Sequence, residues 1–482
     1  MNILFLSSEV APFAKTGGLG DVAAALPKAL HERGHDVRVF MPLYARIEQA
    51  KYRFRSIDAL RGLRVVVGPR AFEVSVFAAQ LPGSTLEVFF VHCPQLYARP
   101  GLYTHDGDEH LRFLVLVYTA LEAAQRMRFA PDVLHVNDWQ TALAPLILKT
   151  RFAWDGAIFG RTRSVLTIHN LNYQGLFPAS VLPDTGLLAS PHLFHQEQLR
   201  EGRINSLLHG ILYADAVTTV SPTYAREIRS AEYGVGLEGF LRAREKSVFG
   251  ILNGVDYSVW SPEQDARIPH RYGPDSLQLK EKNKQALLAR ALLPALPGVP
   301  LLGIVSRLSG QKGFDLLPDA LGRVLREGRF QVVVQGSGER RLERIFHSLR
   351  ARFPKQVRFV TKFDDTLAHQ VQAAADFFLM PSRYEPCGLT QLYALKYGTV
   401  PIVRKTGGLA DSVQLWNPRA GTGTGIVFDD YDAKAVHWAL EAAFNIYRDR
   451  PAYRQLQRNG MAQNFSWALQ VQKYEALYAK LH

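Results

Sequence analysis

The sequence predicts an α/β protein made of two doubly wound parallel sheets, and three observations carry that prediction. Short apolar runs alternate with helical stretches along the chain, which is the pattern of strand–crossover–strand units. The length of 482 residues exceeds what one hydrophobic core supports and implies two domains of about 200–250 residues each. The segment Lys15-Thr16-Gly17-Gly18-Leu19-Gly20-Asp21 returns as Lys405-Thr406-Gly407-Gly408-Leu409-Ala410-Asp411, with six of seven positions matching. Two glycine turns in the same setting suggest two similar half-molecules facing one ligand, an arrangement suited to a diphosphate in a cleft.

Residues 3–6 read as a first strand, followed by the glycine loop and a helix over 21–32 that Gly34 ends as a C-cap. The next strands are 37–41, 133–136, 165–168 and 217–220. The runs 63–67, 72–78 and 86–91 have no helices between them and read as hairpin insertions. A second series starts near residue 300, with strands at 301–305, 330–334, 357–360, 377–380, 400–403 and 426–428. The boundary falls near 245–260, after the charged stretch 242–246, giving domains at 1–250 and 251–458. In the last segment, 459–482, Trp467, Val471, Tyr474, Leu477 and Leu481 fall at helical spacing, as for a helix that returns to the first domain.

Hydrophobic residues make up 47% of the chain and charged residues 21%, enough apolar material for two full cores. The two cysteines, Cys93 and Cys387, form neither a disulfide framework nor a metal-site spacing, which fits a reducing, cytoplasmic setting. The first residues lack a basic region and read as a strand, not a signal peptide. No run reaches the ~18 apolar residues of a membrane span. The net charge of +13 is spread over dispersed Lys and Arg residues. That leaves either a solvated basic surface or a nucleotide or polyanion site within it, and it argues against a nucleic-acid interface.

Ligands of open α/β sheets lie at the carboxyl ends of the strands. In the loop 15–21, Gly17 and Gly18 lack side chains, so their amides can approach an anion at a helix N-terminus while Lys15 adds charge. The alternative is a tight turn that requires glycine. Arg307 and Lys312, in the loop after strand 301–305, either clamp a diphosphate leaving group or are solvated surface charges. Gly336-Ser337-Gly338 lets a flat base or ribose lie on the backbone, or is a plain turn. Glu385 lies at the mouth of the same sheet. It can bond sugar hydroxyls and support positive charge at an anomeric carbon, or it is an N-terminal helix charge. After it, Gly388, Leu389 and Thr390 can present amides to a phosphate. His169 ends strand 165–168, and His135, Asn137, Asp138 and Trp139 end strand 133–136. These groups either line one cleft or, for His169, form a satisfied structural site. Tyr97, Tyr103, Tyr173 and Trp139 either stack on sugar rings or pack in core and rim. No G-x-S-x-G elbow, H-E-x-x-H motif or Cys/His cluster is present, so neither a serine triad nor a metal site is predicted.

As an ordered set, these motifs resemble those of bacterial glycogen synthases and plant starch synthases over nearly the whole chain. The set comprises K-T-G-G-L-G-D, Asp138-Trp139, the stretch 167–175, Ser221-Pro222-Thr223-Tyr224, Leu252-Asn253-Gly254-Val255-Asp256, S-R-L-x-x-Q-K-G at 306–313 and E-P-C-G-L-T-Q at 385–391. The resemblance implies a GT-B glycosyltransferase fold with the site in an interdomain cleft. It implies transfer of glucose from ADP-glucose to the non-reducing-end 4-OH of an α-1,4-glucan, with retention and without metal or cofactor. By motif match, Lys15, Arg307 and Lys312 contact the donor phosphates. Glu385 holds the donor glucose and assists its cationic transition state, and His169, Asp138 and Asn253 bind or orient sugar. Asp21, which closes the glycine-loop motif, counts among the substrate-binding residues. Lys284 matches a lysine near the active cleft, and Phe363 stands where a tyrosine commonly packs on adenine. Tyr97 belongs to the family's Y-D-R-P-G segment, here with Ala98 for the Asp. Gln140 and Leu208 replace the usual His and Lys. These departures leave the phosphate clamp intact and bear on glucan contacts and donor preference. The resemblance makes Lys15 a donor contact and gives the loop 405–411 the task of shaping the wall beside Glu385. Two rivals are a synthase using UDP-glucose or making short oligosaccharides, and a non-catalytic glucan binder. Intact Arg307, Lys312 and Glu385 argue against the second.

Overall fold

The computed structural model describes residues 1–482, which separate into two compact domains, one of 1–254 with 467–482 and one of 255–466. In the first domain seven strands run parallel: β1 (Asn2–Leu6), β2 (Asp36–Pro42), β3 (Glu87–His92), β4 (Val133–Asn137), β5 (Arg163–Ile168), β6 (Ala216–Thr219) and β7 (Val248–Gly250). Their spatial order is β7-β6-β5-β4-β1-β2-β3. Strand order therefore reverses between β1 and β4, which opens a crevice at their carboxyl ends. β1 is paired on both sides, with Leu4 opposite Arg38 and Phe5 opposite His135. Residues 3–6 are fully buried, as expected of a strand covered on both faces.

The 63–91 region departs from a plain insertion. Leu63–Val67 and Arg70–Gln80 do form an antiparallel hairpin. The third run, however, is β3, which pairs parallel with β2 and belongs to the main sheet. Its alternation is masked because four consecutive residues are buried, the signature of an interior strand. The first helix, Gly18–Glu32, starts three residues before the expected position, since the glycine pair itself forms its entry. Gly34, at φ +90°, ends it, and the amides of Gly34 and His35 are donated back to His31 and Leu30 carbonyls. The terminal helix Trp467–Leu481 packs on this domain, where Glu475 takes hydrogen bonds from Arg33 and His35 and the Tyr478 hydroxyl meets His135 Nδ1 at 2.6 Å.

The second domain has six parallel strands: β8 (Leu301–Val305), β9 (Gln331–Gln335), β10 (Val357–Val360), β11 (Phe377–Met380), β12 (Val400–Arg404) and β13 (Ile426–Phe428). Their order, β10-β9-β8-β11-β12-β13, is the 3-2-1-4-5-6 arrangement of a Rossmann sheet. Alternate residues feed two cores. Leu302, Ile304, Val332 and Val334 join the cluster containing Leu321, Leu325 and Leu440. Leu301, Val333 and Phe378 join the cluster containing Leu287, Val371 and Leu409 on the opposite face. The order again reverses between β8 and β11. The loops that follow those two strands carry Arg307, Lys312 and Glu385.

Candidate active site

In the second domain, loop packing brings together residues far apart in sequence. Gly313 is in the left-handed region at φ +71°, and a side chain there would run into the Pro381 carbonyl. The Arg383 amide is donated to the Gln311 carbonyl at 2.9 Å. The loops after β8 and β11 are thereby zipped together, and Lys312 Nζ donates to Glu385 Oε2 at 2.6 Å. The same oxygen accepts Ser382 Oγ at 3.0 Å. Glu385 is only 5% exposed, so its charge is held by one cation and one hydroxyl. Arg307, on the same strand-end loop, is exposed and makes no ion pair. A buried carboxylate paired with one cation, with an uncommitted cation in the same loop as that partner, can bind sugar hydroxyls and stabilise a departing phosphate.

The second glycine pair explains why the Glu385 loop holds its shape. Gly407, at φ +42°, and Gly408 lie against the backbone of Glu385 and Cys387, where any side chain would overlap a carbonyl. The Gly408 amide is donated to the Glu385 carbonyl at 3.1 Å. Gly388 has φ +71°, and beyond it the helix Thr390–Lys396 begins, with the Gln391 side chain donating to the carbonyls of Cys387 and Gly388. Leu389 and Thr390 stand at the start of that helix, at the carboxyl edge of the sheet. Gly336 is demanded by a loop–loop contact, since a Cβ there would overlap the Ser306 carbonyl. Phe363 follows β10 and is 64% exposed at the same sheet edge.

Lys284 is placed elsewhere. It lies on the helix Gln278–Arg290, buried, paired with Asp376 at 2.8 Å and donating to the Val299 carbonyl. Asp376 immediately precedes β11, so this pair sits at the amino edge of the sheet, opposite the strand ends that carry Glu385. Its role there is structural. Sequence position alone did not reveal which end of the sheet the helix would face.

In the first domain, Asp138 follows β4 with φ +52°, a left-handed conformation that costs a non-glycine residue energy, though Asp less than most. Its carboxylate accepts the His169 amide at 2.7 Å and lies 3.5 Å from the Asn170 amide. Burial pushes its pKa up to about 7 despite those amides. Burial also pushes His169 down to about 3, so its ring is neutral at physiological pH. Asn137 donates its amide nitrogen to the Leu6 carbonyl, leaving Oδ1 to accept from His169 Nε2 at 2.9 Å. The proton therefore sits on Nε2, and Nδ1 offers a lone pair to a donor such as a sugar hydroxyl. Asn253 has a buried amide oxygen with no hydrogen-bond partner, an unmet acceptor beside the domain's end.

Lys15 is exposed and pairs with Asp21 at 2.8 Å. The glycine loop differs from the expected open anion cradle. The Glu9 carboxylate accepts the Thr16 amide and hydroxyl, both at 2.6 Å, and lies 3.4 Å from the Gly17 amide. Gly17 is extended, and Gly18 begins the helix. Tyr97, expected to face a sugar, is fully buried, with its hydroxyl donating to the Arg112 carbonyl at 2.6 Å. His135 is also fully buried, bonded to Thr167 and Tyr478, and faces the terminal helix. Tyr173 is exposed, while Trp139 packs edge-on against Phe113. Sequence reasoning missed Glu9 and Ser382. An acid just before a glycine loop was the available signal for Glu9, but its fold-back over that loop is a tertiary fact. No group of three His, Cys, Asp or Glu side chains is arranged as a metal site, and no helix is long and apolar enough to cross a membrane.

Comparison with known proteins agrees with this anatomy. Residues 2–243 match the starch synthase catalytic domain family, and residues 293–462 match glycosyl transferases group 1. The catalytic domain of starch synthase IV from Arabidopsis thaliana superposes with a TM-score of 0.92 at 35% identity, covering 100% of this chain and 99% of that one. A sucrose-phosphate synthase from Thermosynechococcus elongatus, at 19% identity and TM-score 0.63, shares the fold. Two Rossmann-type domains with charged loops at their strand ends define a glycosyltransferase of GT-B architecture. Glycogen synthases of Myxococcus xanthus and Koribacter versatilis are 46% and 43% identical to the chain, each over 100% of it and over 99% and 98% of their own length. The chain belongs to the glycogen synthase and starch synthase family, and its activity is glucosyl transfer in glycogen synthesis, from a nucleotide-sugar donor to a glucan acceptor.

Proposed function

We propose that the donor is ADP-glucose and that the transfer, with retention at the anomeric carbon, extends the non-reducing-end 4-OH of an α-1,4-glucan in the cytoplasm. The observation that carries this reading is the Lys312–Glu385 pair at the carboxyl edge of the second domain, with unpaired Arg307 in the same strand-end loop as Lys312. Breaking the C1–O bond sends an electron pair, and with it negative charge, onto the leaving diphosphate. Arg307, Lys312 and Lys15 supply positive charge where that negative charge grows, and the amides of Gly388, Leu389 and Thr390 add donors. The Glu385 carboxylate binds the donor glucose and supports the positive charge that develops at its anomeric carbon. The acceptor 4-OH attacks on the face the phosphate leaves, and its proton passes to a phosphate oxygen. In the first domain, the His169 lone pair, Asp138 and the unmet Asn253 oxygen orient sugar hydroxyls. Exposed Phe363 offers a ring for adenine, while Gly336 keeps its neighbouring loops in place.

The Arabidopsis relative was solved bound to ADP and acarbose, which supports an adenine nucleotide and a glucan-like ligand for this chain. The test is labelled-glucose transfer to glycogen from ADP-glucose and UDP-glucose, with nucleotide release measured. The expected result is faster turnover with ADP-glucose. Equal or faster turnover with UDP-glucose would overturn the donor assignment.

A further inference from the structure

We infer that Glu9 is a positioning residue that sets the Lys15 loop for the donor, with Tyr103 holding Glu9 in place; the inference rests on the reading of Lys15 as a donor-phosphate contact. Glu9 follows β1 and is 2% exposed, and no cation pairs with its carboxylate. Its charge is instead met by the Thr16 amide and hydroxyl and by the Tyr103 hydroxyl at 2.6 Å, with the Gly17 amide at 3.4 Å. A buried carboxylate pays a large desolvation cost unless such donors surround it, so the loop backbone and the acid fix one another. Gly20 completes the lock, because a Cβ there would lie 2.6 Å from Lys15 Cβ and 3.4 Å from Glu9 Oε2. The residue that follows Lys15 is thus pinned, while the Lys15 ammonium group stays exposed and pairs with Asp21 at the surface.

Tyr103 is itself fixed from behind. Its hydroxyl also meets Ser8 Oγ at 2.9 Å. Its loop is tied down through Thr104, whose amide and hydroxyl are donated to Glu109, and Glu109 is paired with fully buried Arg112. Arg99 closes the same loop onto Asp106 and Asp108. The series Arg112–Glu109–Thr104, then Tyr103–Glu9–Thr16, links the core of the domain to the Lys15 loop. None of its members needs to touch substrate. Its effect is to hold Lys15 within the narrow tolerance that transition-state contacts demand.

The experiment is a double-mutant cycle on donor kinetics, using the full chain, ADP-glucose and glycogen. Glu9→Ala lowers kcat/KM for the donor by at least about 10-fold. Glu9→Gln, which keeps one acceptor oxygen, recovers part of that loss, and Tyr103→Phe gives a smaller loss without unfolding the domain. In a Lys15→Ala background, Glu9→Gln and Tyr103→Phe each cost less than about 2-fold more, because their effect runs through Lys15. Losses that multiply in the double variants would overturn the inference alone. A Lys15→Ala enzyme with unchanged donor kinetics would overturn the reading of Lys15 as well, so the two failures are distinguishable.

Discussion

Replacing Gly407 by alanine tests how the second glycine loop serves the site. The added Cβ would lie 1.9 Å from the Glu385 carbonyl oxygen, whereas ordinary contact starts at 3.4 Å, so one of the two must retreat by about 1.5 Å. The left-handed φ of +42° adds about 1–2 kcal/mol for any side chain, and the overlap about 1–3 kcal/mol more. At about 2–4 °C per kcal/mol for a domain of this size, the total of about 2–5 kcal/mol lowers Tm by roughly 4–20 °C. The carbonyl that moves belongs to Glu385, and in the proposed mechanism a shift of about 1 Å in the group that holds the donor glucose costs on the order of 100-fold in turnover. The equivalent position in the first loop is the control. Gly17 is extended, with nothing within 4 Å of its Cβ direction, so Gly17→Ala shifts Tm by less than about 2 °C. Thermal unfolding and glucose-transfer assays on both variants decide the matter. A Gly407→Ala enzyme with unaltered Tm and turnover would refute the packing argument.

Lys284→Met leaves Asp376 buried without its cation, so stability drops by about 3–5 kcal/mol while the folded fraction keeps its kcat and donor KM within about 3-fold; activity normalised to folded protein checks this. Phe363→Ala removes an exposed ring and leaves Tm unchanged, but raises donor KM by about 5–100-fold if the ring stacks on adenine; initial-rate kinetics give the answer. The first domain loses stability in mild acid. His135 and His169 have pKa values near 3 and His209 near 4, all lowered mainly by burial, so the unfolded chain takes up three protons below pH 6.5 that the fold refuses. Asp138, raised to about 7, acts in the opposite sense by holding a proton the unfolded chain has lost, so its contribution grows as pH falls. The net loss from pH 7.5 to 5.5 is about 2 kcal/mol, rising to about 4 kcal/mol in Asp138→Asn, as urea unfolding at the two pH values would show.

The strand series was legible because parallel strands buried on both faces leave continuous apolar runs, and every expected strand of the second domain lies within a residue of its observed bounds. The loops at the strand ends were legible for the same reason, since topology puts them at one edge. Whether a strand joins the main sheet was not legible for β3, because its helix-less crossover resembles a hairpin. Side-chain direction was legible least. Tyr97 and His135 have the residue types of a sugar site, yet both turn into the core. Lys284 lies near strand 301–305 in sequence but at the wrong edge in space. The pairing of Lys312 with Glu385 across 73 positions depends on Gly313 meeting Pro381, which no local pattern reports.

In the proposed mechanism Lys312, held against Glu385, supplies charge to the departing diphosphate. The most direct test is turnover of Lys312→Ala with ADP-glucose at saturating glycogen, alongside glycogen affinity. The expected result is a fall in kcat of about 100–1,000-fold with glycogen affinity within about 2-fold of the unaltered enzyme. Unchanged turnover in a folded Lys312→Ala enzyme would contradict it.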